Sequence, residues 1–133
     1  MQVIKLAGKV AAAAAIAAVL AGASPAFADA GEDITSTFSA EGGEKVSYAY
    51  SLQKYGNKNV AIQDKREDKA PVYAEFDRLK TKGLRVWNNS DVAGSTKYSD
   101  SSASNYVVKV TACWQQDAVP DSCGPDDRPG DGR

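Results

Sequence analysis

Short alternating segments, separated by turns at intervals of roughly ten residues, constrain the fold of this 133-residue chain most strongly. The clearest segment is Tyr106–Cys113, which is rich in β-branched residues and contains the Val107-Val108 pair. Lys45–Leu52 alternates with period two, which is typical of a half-buried strand. One face of that segment holds Val46, Tyr48, Tyr50 and Leu52.

Five further segments have the same character. They are Ile34–Phe38, Val60–Asp64, Pro71–Phe76, Leu84–Asn88 and Thr96–Ser99. The set predicts an all-β fold, a small antiparallel β-sandwich or barrel of about six to seven short strands. The alternative is a mixed fold with a helix over Glu75–Lys82, where the pattern has some helical character.

The first 28 residues have the features of a signal peptide. Lys5 and Lys9 form a positive region, and Val10–Leu20 follows as eleven residues without a charge. Such a run is too short to span a bilayer core of about 30 Å. Ala26-Phe27-Ala28 predicts cleavage after Ala28, with cleavage after Ala30 as the competing site. We therefore expect residues 1–28 to be removed and the protein to be secreted to the extracellular space.

The remaining chain divides into three predicted parts. Residues 29–33 are a flexible lead-in, residues 34–123 are the β-sandwich domain, and residues 124–133 are a disordered acidic tail. The tail prediction follows from its Pro, Gly and Asp content and its lack of apolar residues.

The two cysteines, Cys113 and Cys123, predict one disulfide bond. In an exported protein an even pair of cysteines indicates a bridge, and ten positions of separation leave room for a turn at Pro120. A bridge of this size stabilises a domain by roughly 2–3 kcal/mol. A redox-active pair is disfavoured because the CxxC spacing is absent. An intermolecular bridge remains an alternative.

The chain contains no histidine, which excludes a Ser-His-Asp triad, a Cys-His dyad and a histidine-ligated zinc site. Asp64, Asp68 and Glu75 match three positions of a calcium loop, but Lys69 stands where that loop needs glycine. We therefore predict no catalytic residue, no metal site and no cofactor. A small hydrolase that uses only carboxylates is kept as an alternative.

Tyrosine and tryptophan are numerous after residue 28, and both are favoured in binding surfaces. They are Tyr48, Tyr50, Tyr55, Tyr73, Trp87, Tyr98, Tyr106 and Trp114. We expect most of them to fill the core and the sheet faces, with their polar tips hydrated. Trp114 is the exception, because it begins the disulfide loop, which could display it to a partner.

Three runs resemble a group of small secreted β-rich proteins from high-GC Gram-positive, streptomycete-like bacteria. They are QDKREDKAPVYAEF (Gln63–Phe76), LRVWNNS (Leu84–Ser90) and VVKVTACWQQDAVPDSCG (Val107–Gly124). The resemblance covers about Tyr48 to Gly124 and implies a secreted β-rich domain. It implies no activity and transfers no functional residue.

The sequence thus favours a secreted non-catalytic β-domain that binds an extracellular protein or a cell-wall partner. The alternative is an inhibitor or toxin-like protein that presents the loop 113–123. Because the chain has a formal charge of −1 and loses Lys5 and Lys9 with the signal peptide, we expect it to bind neither nucleic acid nor, once cleaved, a membrane. We expect a monomer rather than an oligomer.

Overall fold

Eight strands form the described part of the chain, and they carry the β-branched and aromatic residues that favour extended backbone. The computed structural model describes residues 29–90 and 92–130, so the predicted signal peptide and the cleavage site at Ala28 lie outside the described residues. The strands are β1 Ile34–Ser39, β2 Lys45–Ser51, β3 Ala61–Asp64, β4 Val72–Arg78, β5 Leu84–Asn88, β6 Thr96–Tyr98, β7 Val107–Trp114 and β8 Ser122–Cys123. A 3₁₀ turn occupies Gln53–Tyr55.

The strands form two antiparallel sheets of four strands each. One sheet has the order β1-β2-β3-β6 and the other has the order β8-β7-β4-β5. The prediction of a small antiparallel all-β fold is confirmed, with the two-residue strand β8 added to the seven predicted strands. The helical alternative is wrong, because Glu75 to Arg78 belong to β4.

The core lies between the sheets and is built from small and branched apolar side chains. Its buried members are Ile34, Val46, Ala49, Val60, Ile62, Val72, Ala74, Phe76, Val107, Val110 and Ala112. Alternation along β4 places Val72, Ala74 and Phe76 on the inward face, as the sequence predicts. Within residues 29–90 and 92–130, no helix is both long and apolar enough to cross a membrane.

Strand β2 differs from its apparent pattern. Its buried face carries Ser47, Ala49 and Ser51, whereas Tyr48 and Tyr50 are only partly buried on the opposite face. Val46 nevertheless lies in the core, because the pairing of β1 with β2 shifts register between Phe38 and Ser39. A bulge of this kind turns one extra residue inward. The period of two is therefore confirmed, and the small residues of β2 rather than its tyrosines face the core.

The predicted disordered tail is wrong for residues 124–130, which continue beside β7. The Gly124 N–H donates to the Ala112 carbonyl at 2.8 Å, and Asp127 pairs with Val110 through two backbone hydrogen bonds. Asp127 is fully buried, and its Oδ2 accepts the Thr35 N–H at 2.8 Å. This segment therefore covers the outer edge of β1, an edge that would otherwise present unpaired backbone groups.

The lead-in is also tied to the domain. The Ala30 N–H donates to Asn57 Oδ1 at 3.0 Å, and Asp33 Oδ1 accepts the Gln53 N–H at 2.8 Å. Hydrogen bonds therefore tie both ends of the described chain to the sandwich, although the sequence predicts a flexible lead-in and a disordered tail.

Candidate binding surface

The outward face of the β1-β2-β3-β6 sheet carries exposed tyrosines in a regular arrangement. Register pairs Tyr50 with Thr35 on one side and with Ala61 on the other, and Ala61 in turn with Tyr98. Directly opposed residues point to the same side of a sheet. We call the outward surface that contains Tyr48, Tyr50 and Tyr98, with Tyr55 at its margin, the tyrosine face.

A groove of about 500 Å³ lies on the tyrosine face. It is lined by Tyr50, Leu52, Tyr55, Lys58, Asn59, Ala61, Tyr98 and Ser101. Ala61 is nearly buried and forms a low position between Tyr50 and Tyr98, whereas Tyr55 and Tyr98 are 58% and 62% exposed. The groove thus combines ring surfaces with an amide, hydroxyls and one ammonium group.

A second, smaller groove of about 240 Å³ lies beside the first on the same face. It is lined by Thr37, Lys45, Tyr48, Gln63 and Lys65. The Tyr48 and Tyr50 rings have their centres 5.1 Å apart, so the two grooves meet across this ring pair. Together they give an extended surface that crosses several strands.

The hydroxyls of Tyr48 and Tyr50 stay protonated at neutral pH. Burial raises the pKa of Tyr48, and the nearby charge of Asp33 raises it further. The pKa of Tyr50 is also raised, first by burial and then by a hydrogen bond with Tyr98. Neutral phenols can both donate and accept hydrogen bonds, so the face offers them to a ligand together with the ring surfaces.

The residues that line the two grooves include three lysines and, among the described residues, no carboxylate. The described residues also hold no group of three or more His, Cys, Asp or Glu that could ligate a metal. The chemistry on offer is therefore stacking, hydrogen bonding and attraction of negative charge.

Trp114, the predicted partner contact, lies at one end of the core. Its ring stacks with Phe38 at 5.9 Å between centres, and the Arg66 guanidinium lies 5.1 Å from its ring centre. Arg66 is held there by ion pairs with Glu44 and Asp68, each at 3.4 Å. Trp114 is half-buried at the base of the loop, and its contact with a partner stays a prediction.

The Cys113–Cys123 disulfide is present, which confirms the predicted pairing. It joins opposed residues of β7 and β8 on the outward face of the second sheet. Cys113 is buried and also pairs with Tyr73, whose hydroxyl donates to Asp121 Oδ2 at 2.6 Å. The loop between the cysteines is thus anchored by a covalent bond and by this hydrogen bond.

The three acids of the calcium-loop count occupy separate environments. Asp64 is buried in β3 and accepts the Arg66 N–H, Asp68 pairs with Arg66, and Glu75 pairs with Arg85 at 3.2 Å. Each of the three carboxylates thus interacts with another group of the protein.

One Ser-x-x-Lys run, Ser51 to Lys54, has the spacing of some serine–lysine nucleophiles. Ser51 is buried, however, and its hydroxyl donates to the Asn59 carbonyl at 2.7 Å. The Lys54 ammonium lies 5.1 Å from the centre of the Tyr55 ring. The serine hydroxyl is therefore engaged in holding the backbone of the β2–β3 connection.

The grooves were missed from the sequence because alternation does not state which face is solvated. One sequence feature could have indicated the solvated face. The small residues of β2, which are Ser47, Ala49 and Ser51, can lie close to the opposite sheet, so the tyrosines of this strand would face outward. Lys58 and Ser101 belong to connections, so only the folded chain brings them beside Tyr98.

Comparison with known proteins gives no relative from which a function could be carried over. No protein-family model matches the chain, and neither a curated protein nor a solved structure matches it. The tyrosine face is therefore the feature of this protein that indicates a function.

Proposed function

We propose that this chain is a secreted, non-catalytic β-domain that binds an extracellular or cell-envelope partner through the tyrosine face. The observation that carries the proposal is the 500 Å³ groove in which Tyr55 and Tyr98 are more than half exposed. Tyrosine is enriched where binding energy concentrates, because it is rigid and has both an apolar ring and a polar tip.

Secretion is the part of the proposal that rests on the sequence. Residues 1–28 have the charge and apolar pattern of a signal peptide. The Cys113–Cys123 bond agrees with an oxidising compartment, where disulfides persist. A secreted binding domain meets its partner in the medium or on the cell surface.

The test is binding of the secreted chain to cell walls isolated from the producing organism. We expect Tyr98→Ala to weaken binding about tenfold, the effect of losing one central aromatic contact. Leu79→Ala is the matched control, because Leu79 is 50% exposed and does not line either groove. Equal binding by the wild type and the Tyr98 variant would contradict the proposal that the partner binds through the tyrosine face.

A second candidate is an inhibitor or toxin-like protein that presents the disulfide loop. It is favoured by Val119, which is 52% exposed, and by Ala118, which has a left-handed backbone with φ of 64°. A loop held in such a conformation by its anchors loses less entropy on binding. Binding that falls with Val119→Asp and is unchanged by Tyr98→Ala would support this candidate instead.

A further inference from the structure

Lysines surround the tyrosine face, although the whole chain has a small excess of acidic residues. Lys58 lines the larger groove, and Lys45 and Lys65 line the smaller one. All three are exposed, and Lys54 adds a fourth cation at the margin through its contact with Tyr55. Both grooves thus carry positive charge.

Acids also lie close to the face, among them the exposed Asp100, which precedes Ser101 in the chain, and Asp33, whose charge acts on Tyr48. Asp33 Oδ1 already accepts the Gln53 N–H at 2.8 Å. The described residues that line the grooves nevertheless include three lysines and no carboxylate, so the face favours an anionic ligand.

The tyrosines favour a ligand that also contains rings with apolar faces. Aromatic side chains present a negative ring face to polarised C–H groups, and they lose little entropy on binding. The Tyr48–Tyr50 pair and Tyr98 offer such rings at successive positions across the sheet. Thr37, Gln63 and Asn59 provide hydrogen-bonding groups between them.

From these two features we infer that the partner of the tyrosine face is an acidic polysaccharide whose sugar rings carry uronate carboxylates. This inference rests on the proposed function and names the ligand class for that site. A uronate polymer supplies an apolar ring face and a negative charge in each repeat. The two adjoining grooves fit a chain that extends along β3 from Lys65 toward Lys58.

Two other polyanions fit less well. A phosphate polymer with an acyclic backbone has no ring to stack on the tyrosines, and the described residues that line the grooves include no Arg for bidentate phosphate contacts. Nucleic acid carries one charge per about 1.7 Å of duplex and is bound by many cations. A few lysines on an acidic chain do not match that charge density.

The test measures binding of the secreted chain to polygalacturonate and to fully methyl-esterified polygalacturonate, which have the same sugar backbone and differ in whether the carboxylates are ionised or esterified. We expect at least tenfold tighter binding to the acid form. Lys58→Gln should weaken that binding about fivefold, the value of one exposed ion pair. Lys82→Gln is the matched control, because Lys82 is exposed in the β4–β5 turn and lies outside both grooves.

The outcomes separate this inference from the proposed function. Equal binding to the two polymers, or tighter binding to polyphosphate or single-stranded DNA, would overturn the uronate assignment. If neither polygalacturonate binds while Tyr98→Ala still releases the chain from isolated walls, the uronate assignment fails and the proposed function stands. If Tyr98→Ala leaves wall binding unchanged, both fail.

Discussion

At the scale of single residues, Tyr73 links the disulfide loop to the sheet. It is 2% exposed, its ring lies 4.4 Å from that of Trp87, and the Arg85 guanidinium lies 4.7 Å from its ring centre. Burial raises the pKa of Tyr73 to about 12, and the hydrogen bond with Asp121 adds to the shift. The folded protein therefore keeps the Tyr73 proton at a pH where the unfolded chain has lost it.

This shift predicts a loss of stability in strong alkali. Between pH 10 and about pH 12 the unfolded state binds fewer protons than the folded state, so the free energy of unfolding falls as pH rises. Tyr73→Phe should cost about 1 kcal/mol at neutral pH through the lost hydrogen bond. It should also flatten the decline above pH 10, as followed by denaturant unfolding. An equally steep decline in the variant would contradict this assignment.

Arg78 is a buried charge that holds the backbone of the connections that line the larger groove. Its guanidinium donates to the carbonyls of Lys58, Asp100 and Asn105, at 3.0, 2.5 and 2.8 Å. Burial lowers its pKa. The first two carbonyls belong to the connections that provide Lys58, Asn59 and Ser101 to the groove wall.

We predict that Arg78→Lys destabilises the domain by about 2 kcal/mol, because one ammonium group cannot replace the planar donor set. It should also weaken partner binding without removing any ligand-contacting atom. Thermal unfolding and the wall-binding assay measure the two effects. An unchanged midpoint would show that the three carbonyls do not depend on Arg78.

At the scale of elements, the segment that follows β8 seals the space between β1 and β7. Ser36 in β1 illustrates the join, because its hydroxyl donates to the Pro125 carbonyl at 2.6 Å and accepts the Ala112 N–H at 2.9 Å. Gly124 is required here, since a Cβ would lie only 2.1 Å from the Thr37 carbonyl oxygen.

Gly124→Ala should therefore destabilise the domain by about 2–3 kcal/mol, the cost of overpacking against backbone that cannot move freely. Gly83→Ala is the control, because its Cβ would meet nothing within 4 Å and only the left-handed backbone, with φ of 72°, is strained. That strain costs about 1 kcal/mol. Equal losses in thermal unfolding would mean that residues after 123 do not pack as described.

The β7–β8 pair depends on its disulfide, because two residues of strand form few hydrogen bonds on their own. Replacing Cys113 and Cys123 together by Ala should lower the free energy of unfolding by roughly 2–3 kcal/mol. Denaturant unfolding of the double variant measures the loss. A loss below about 0.5 kcal/mol would show that residues 122–127 hold their place without the bond.

At the scale of the whole molecule, local patterns predicted the strands because β-branched runs and turn residues act over short distances. They failed where a long-range contact decides. Tyr48 and Tyr50 belong to the more apolar face of β2 in the sequence, yet the opposite face, with Ser47 and Ala49, packs against the other sheet. The Pro-, Gly- and Asp-rich segment after Cys123 looked disordered, but pairing with β7 and the buried Asp127 fix it.

The same reasoning explains why the groove was not predicted. The eight tyrosines and tryptophans were recognised as a group, but their distribution depends on sheet register. Lys58 and Ser101 are 43 positions apart by sequence number and meet only after β3 and β6 pair. The composition of the two connections does not predict that their residues line the same groove.

Backbone NMR tests most directly whether the tyrosine face is the functional surface. Isolated cell-wall fragments are added to the isotope-labelled protein, and amide shifts are followed. We predict that the changes concentrate at Tyr48, Tyr50, Ala61 and Tyr98, with the outward face of β4 and β5 unaffected. Changes confined to residues 115–121, or to Glu75 and Arg85 on the other sheet, would contradict the account.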